Sequence, residues 1–203
     1  MKELLVILDA GHGGLNPNSG EYTTPGKRMV KDDVTFYEGV NNRDNVKRIK
    51  EALEALDIEC VEVAHEWRDT PLSNRVRQAN ELARGREAVY LSIHSDAAGN
   101  GREWHSAKGF SAFIYNSTRS KKTKRLGQLM QQELVCNLGE LSRDRKLRKA
   151  DFKVLRETST PACLIEGGFH TNESEVNLMI TEEWKEAFTK AVVDAVLIYI
   201  SEL

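Results

Sequence analysis

Cysteine is scarce in this chain of 203 residues, and the three present, Cys60, Cys136 and Cys163, are odd in number and far apart. That excludes a disulfide framework, and no CxxC pair offers a structural zinc site. The thiols read as free, reduced and buried. An excess of charge of either sign is also missing. The net charge is −2, which argues against a nucleic-acid binder or a polybasic membrane protein. No apolar run is long enough to cross a bilayer. The opening MKELLVILDAGHGG has a short apolar run broken at Asp9 and His12, with no small-residue cleavage site after it. It reads as a strand and not as a signal peptide, so synthesis in the cytoplasm without export is expected. Linkers, internal repeats and low-complexity segments are absent too. What remains is 40% apolar and 30% charged residues, the balance of a soluble globular protein. One domain spanning 1–203 is expected, large enough to bury its own core.

Leu4 to Leu8 is a continuous apolar run, as in a strand buried on both faces. A glycine- and asparagine-rich loop follows from Gly11 to about Lys31. A helix begins at Glu38, with Val46, Ile49, Leu53 and Leu56 on one face. Further strands are expected at Ile58–Val63, Ala88–His94, Phe110–Tyr115, Val154–Leu155 and Ala162–Ile165, the last leaving through Gly167 and Gly168 with a tight backbone approach. Helices are expected at about Leu72–Arg84 and Arg125–Val135, and over a final segment where Trp184, Phe188, Ala191, Val192, Ala195 and Tyr199 share a face. Strands alternating with helices predict an α/β fold, a three-layer α/β/α sandwich with a mostly parallel twisted sheet.

Ligands of open α/β sheets bind beyond the carboxyl ends of the strands. His12 follows the first strand, His94 closes Val89–Ile93, and Glu166 ends Ala162–Ile165. Glu38 stands at the start of the first long helix, across the glycine-rich loop. Two histidines and a carboxylate are the ligand set of a catalytic zinc with one position open to water. A second carboxylate off the metal serves as general base and acid in amide hydrolysis. No short spacing such as HExxH ties these residues together, so the residues alone leave the zinc reading open.

Four ordered blocks narrow it. They are Ile7-Leu-Asp-Ala-Gly-His-Gly-Gly14, Glu38-Gly-Val-Asn41, Leu91-Ser-Ile-His-Ser-Asp96 and Pro161-Ala-Cys-Leu-Ile-Glu-Gly-Gly-Phe-His-Thr-Asn172. Across nearly its whole length the chain resembles the zinc-dependent N-acetylmuramoyl-L-alanine amidases of bacterial autolysins and phage endolysins. The resemblance implies one zinc ion held by His12, Glu38 and His94, with Glu166 as the catalytic glutamate and peptidoglycan as substrate. Arg75 and Ala79-Asn80 also fall where that family carries an arginine and an Ala-Asn pair. Two departures, Asp96 in place of asparagine and Thr171 in place of serine, bear on substrate fit more than on the metal.

Other polar residues take plainer readings. His65 and His105 read as structural. His170 reads as a loop residue that could also line the cleft. Arg143, Arg145, Lys146, Arg148 and Lys149 read as a solvated loop, with attraction for peptide-stem carboxylates as the alternative. Trp67 and Trp104 are candidates for stacking on sugar or peptide. A phage-type endolysin acting on the wall after release, monomeric, is the expected setting, with a bacterial autolysin as the alternative. The competing functions are another zinc hydrolase on a similar fold, such as a carboxypeptidase, and a non-catalytic wall-binding module.

Overall fold

The computed structural model describes residues 4–99 and 101–203. Its main sheet has six strands: β1 (Leu5–Ala10), β4 (Cys60–Glu62), β5 (Ala88–Asp96), β6 (Ser111–Tyr115), β7 (Arg148–Ala150) and β8 (Ala162–Phe169). Their spatial order is β4-β1-β5-β8-β6-β7. All neighbours run parallel except β8 and β6. Helices α1 (Glu38–Glu54), α2 (Leu72–Leu82), α3 (Lys121–Leu138), α4 (Lys153–Glu157), α5 (Glu173–Met179) and α6 (Glu182–Ser201) cover it. The expected α/β/α sandwich is therefore the observed architecture.

The two faces follow from the two-residue period of a strand. Val6, Leu8, Val89, Leu91, Cys163 and Ile165 pack against α1, α3 and α6 in the larger apolar cluster. Leu5, Ile7, Ala88, Tyr90, Ala162 and Leu164 face the other way, onto Val76 and Ala79 of α2 and Val154 and Leu155 of α4. Burial on both sides is why the central strands read as unbroken apolar runs.

Several local expectations are corrected. Val154–Leu155 is not a strand but the buried part of α4. A helix of five residues is too short for its 3.6-residue period to show among the surrounding charges. The loop from Gly11 ends early, in a hairpin of β2 (Arg28–Lys31) and β3 (Val34–Tyr37). Its two turn residues, Asp32 and Asp33, have φ of 51° and 65°, a conformation that aspartate tolerates better than most residues. Strand β7 and helix α5 were not anticipated. Leu56 is 45% exposed, because α1 stops at Glu54. Helix α3 starts at Lys121, where the Ser120 hydroxyl accepts from the Thr123 N–H at 3.1 Å. Cys136 lies exposed on α3, whereas Cys60 and Cys163 are buried; all three are free, as expected.

Strand β5 runs past His94 to Asp96, and β8 runs past Glu166 to Phe169, so the expected exit at Gly167 is a continuation of the strand. The close approach there is real. A Cβ on Gly167 would meet the Trp184 ring at 2.9 Å and the Phe188 ring at 3.3 Å. Gly167→Ala is therefore expected to destabilise the fold by about 1–3 kcal/mol through overpacking. Gly26→Ala, where a Cβ meets nothing within 4 Å, serves as the control and should be neutral or slightly stabilising. Urea denaturation of both variants checks this, and equal midpoints would contradict the packing described.

Candidate metal centre

The register of the sheet builds one side of the site. His94 of β5 pairs directly with Glu166 of β8, so both side chains leave the same face at the carboxyl end of the parallel strands. Gly11 follows β1 and donates its N–H to the Ile93 carbonyl at 3.0 Å, which sets it beside His94. A Cβ at position 11 would stand 2.2 Å from the His94 ring, so only glycine leaves room for the imidazole.

His12 takes the next position with φ of 64°, a left-handed conformation that β-carbon-bearing residues seldom adopt. Its carbonyl accepts from Arg43 Nη2 at 2.8 Å and Arg75 Nη2 at 3.1 Å. Arg75 is fully buried and pairs with Asp9, while donating to the carbonyls of Ala10 at 2.6 Å and Thr70 at 2.7 Å. Asp9 in turn accepts from Tyr90 Oη at 2.5 Å and Ser92 Oγ at 2.8 Å. Burial by itself would raise the Asp9 pKa; the Arg75 charge and the Tyr90 hydrogen bond outweigh it and hold the carboxyl below its ordinary range.

Glu38 brings the third group from across the loop. It opens α1, where the helix dipole favours an acid, and its N–H donates to the Lys27 carbonyl at 3.1 Å. The helix can come this close because position 39 is glycine: a Cβ there would lie 1.8 Å from the Gly13 carbonyl oxygen. Glu38 Oε1 sits 3.2 Å from His12 Nε2 and 3.1 Å from His94 Nδ1, and accepts from the Ser95 N–H at 3.3 Å. The other oxygen, Oε2, is buried without a hydrogen-bond partner. Burial opposes ionisation of Glu38, but the hydrogen bonds from His12 and His94 prevail and hold its pKa well below the usual carboxylate range. His94 responds oppositely: burial would lower its pKa, yet Glu38 and Glu166 together raise it.

One ligand atom each from His12, Glu38 and His94 lies within 4.8 Å of the others, close enough to share one metal ion. Two imidazoles, an ionised carboxylate and an orphaned buried oxygen fit a divalent cation, and zinc in particular accepts this donor set. Glu166 stands beside the trio in a cleft of about 230 Å³, whose walls include Lys27, Leu72, Phe152 and Lys153. Its Oε2 is also buried without a partner. Burial, with the Glu38 charge adding and His94 opposing, pushes the Glu166 pKa up to about 8. All four residues singled out from the sequence thus meet in one place.

The remaining candidates fall elsewhere. Neither tryptophan nor any residue of the Arg143–Lys149 stretch lines this cleft. Trp104 Nε1 donates to Asp32 at 3.2 Å, Arg145 lies over the Phe169 ring at 4.7 Å, and Arg148–Ala150 is the edge strand β7. His65 accepts from the N–H groups of Trp67 and Arg68 at 3.2 Å, a structural role as expected. His170 lies, as expected, in the turn after β8, but it is buried and neighbours the centre: its Nδ1 lies 3.8 Å from Glu38 Oε2 and 3.0 Å from Ser95 Oγ. Its position directly after β8 was the available signal. Arg43 and Lys27 left no sequence signal, whereas Asp9 did, because an acid inside a buried strand demands a counter-charge.

A sequence profile of the family described as N-acetylmuramoyl-L-alanine amidase matches residues 6–197. The chain belongs to that amidase family. LytC, an N-acetylmuramoyl-L-alanine amidase of Bacillus subtilis, is 27% identical, over 96% of this chain and 35% of its own length. LytH of Staphylococcus aureus, named a probable cell wall amidase, is 26% identical over 97% of this chain and 58% of its own. The chain therefore spans less than two thirds of the length of either relative. Among solved structures, an N-acetylmuramoyl-L-alanine amidase from Clostridium difficile 630 superposes with a TM-score of 0.83 at 28% identity, covering 99% of this chain and 98% of that one.

The raised Glu166 pKa gives a pH test on protein stripped of metal. A folded-state pKa lifted from 4.5 to about 8 means that ionising Glu166 disfavours the fold. Its contribution is fully present below about pH 4.5 and is lost as pH rises through about 8. Glu166→Gln lacks that loss, so its stability relative to the parent should grow steadily across this window. Urea unfolding in chelator at several pH values measures it, and a constant difference would contradict the buried acid.

Proposed function

We propose that this chain hydrolyses the amide between N-acetylmuramic acid and L-alanine in peptidoglycan, as a single catalytic domain of residues 1–203 using one zinc ion. His12, Glu38 and His94 hold the ion and Glu166 is the acid–base catalyst. The observation that carries this reading is the 4.8 Å cluster of those three ligands, with Glu166 in the same cleft, in a chain of the amidase family. Zinc bound there supplies Lewis-acid polarisation of the scissile carbonyl and lowers the pKa of the attacking water.

The protein's own groups do the rest. Glu166 takes a proton from the attacking water and returns it to the departing L-alanine amine. A carboxyl in the cleft that His12 and His94 line can serve both transfers. Glu38, His12 and His94 are held in place before substrate arrives, because each is tied to backbone that cannot shift without breaking buried hydrogen bonds. Nucleophilic catalysis by cysteine has no support: burial drives the Cys60 and Cys163 thiols up to about 12. LytH, named a probable cell wall amidase, supports the bacterial cell wall as the site of action. Among the described residues no helix is long and apolar enough to cross a membrane.

Purified peptidoglycan is the direct assay. New L-alanine amino termini with an intact glycan are expected, and chelator should abolish them. Free C-terminal amino acids would indicate a carboxypeptidase instead. His12→Ala and His94→Ala should each lose the metal, read by metal analysis. Glu166→Gln should retain metal and fold while kcat falls by about 10²–10⁴-fold. Near-normal turnover in that variant would end the mechanism, and loss of metal would make Glu166 a ligand.

A further inference from the structure

Cations around the centre are almost all paired or hydrogen-bonded by the protein itself. Arg75 pairs with Asp9, Arg43 is saturated by the carbonyls of Gly39, His12 and His65, and Lys31 pairs with Glu103. Lys153, which also lines the cleft, has Glu157 at 3.7 Å. Lys27 differs. It lines the cleft with His12, His94 and Glu166, yet among the described residues no carboxylate or carbonyl pairs with its ammonium group. Its backbone is tied down at both ends: the Lys27 N–H donates to the Thr24 carbonyl at 2.9 Å, and its carbonyl receives the Glu38 N–H at 3.1 Å. The lysine is thus anchored to the residue that opens α1. Its charge is felt at both Glu166 and His170.

An unneutralised ammonium carried by an anchored backbone on the wall of a reaction cleft is suited to receive an anion. The reaction proposed above, on which this step rests, says which one. On the sugar side of the scissile amide the lactyl and N-acetyl groups are neutral. On the peptide side, the stem carboxylate nearest the scissile bond is that of the residue after L-alanine. We infer that Lys27 is a specificity residue that binds the free carboxylate of the second stem residue, so that stems with this carboxyl amidated are poorer substrates. Leu72 and Phe152, 51% and 38% exposed on the cleft wall, offer the apolar surface along which such a stem lies.

Two soluble muramoyl peptides, identical except that the second stem residue carries a free or an amidated carboxyl, test this. The unaltered zinc-loaded protein should show a KM about tenfold lower for the free acid, the scale of one charge-assisted hydrogen bond. Lys27→Met should raise the free-acid KM to that of the amide, with the loss in KM and not in kcat. Lys27→Arg, which keeps the charge, should restore most of the preference. Calorimetry with the free stem peptide and the Glu166→Gln protein gives a readout independent of turnover: binding weakened about tenfold by Lys27→Met is expected. Equal handling of both substrates by the unaltered protein, or an undiminished preference in Lys27→Met, overturns the inference alone. An equal fall in kcat on both substrates also overturns it, assigning Lys27 to the reacting atoms. Cleavage of neither substrate by the unaltered protein overturns the amidase reaction, and this inference with it.

Discussion

Two guanidinium groups donate to one carbonyl oxygen, that of His12, and the geometry of the candidate metal centre depends on that grip. The turn after β1 must reverse sharply enough to aim His12 back toward Glu38, which places it at φ of 64°. Such a conformation costs on the order of 1 kcal/mol or more and persists only where neighbours over-determine it. Arg43 reaches the carbonyl from α1 and Arg75 from α2, so helices on opposite faces of the sheet hold the same peptide group. Arg75 can be buried only because Asp9 is buried beside it, and Asp9 only because Tyr90 and Ser92 of the next strand complete its hydrogen bonds. Removing one member would leave an uncompensated charge in the interior. The site is therefore stiff because a chain of polar groups runs from β5 through β1 to the loop.

Much of this architecture was legible, for identifiable reasons. Strands β1, β5 and β8 are buried on both faces, which produces uninterrupted apolar runs that few other structures generate. His94 and Glu166 stood out because each interrupts such a run at its end, and the two prove to be register partners. Where burial is one-sided or the element short, the pattern weakens. Helix α4 and strand β7, five and three residues long, sit in a charged stretch and give no usable period. The antiparallel setting of β6 was also out of reach, since direction within a sheet leaves no mark on a strand's own residues.

The surroundings of the centre divide along the same line. Asp9 was readable as a problem needing a solution, but nothing local named Arg75 as its partner. His170 looked like one more polar residue after a strand, and only the bulge between His94 and Asp96, with Ser95 turned toward it, carries it under Glu38. Lys27 is separated from Glu38 by a hairpin whose existence the glycine-rich composition concealed. Such relations arise between elements, and periodicity within an element cannot contain them.

Gly11 and Gly39 take no part in the chemistry proposed for the site, yet each occupies a position where a single added methyl would collide with the His94 ring or with the backbone of the loop that bears His12. The chain has no slack to absorb that collision, since the loop is held by two arginines and the ring by Glu38. Mutational tolerance around this centre should therefore be inverted from the usual expectation. Exposed walls such as Leu72 and Phe152 are free to drift and to retune what the cleft accepts. The two residues with the least to contribute chemically are among those with the least room for a side chain.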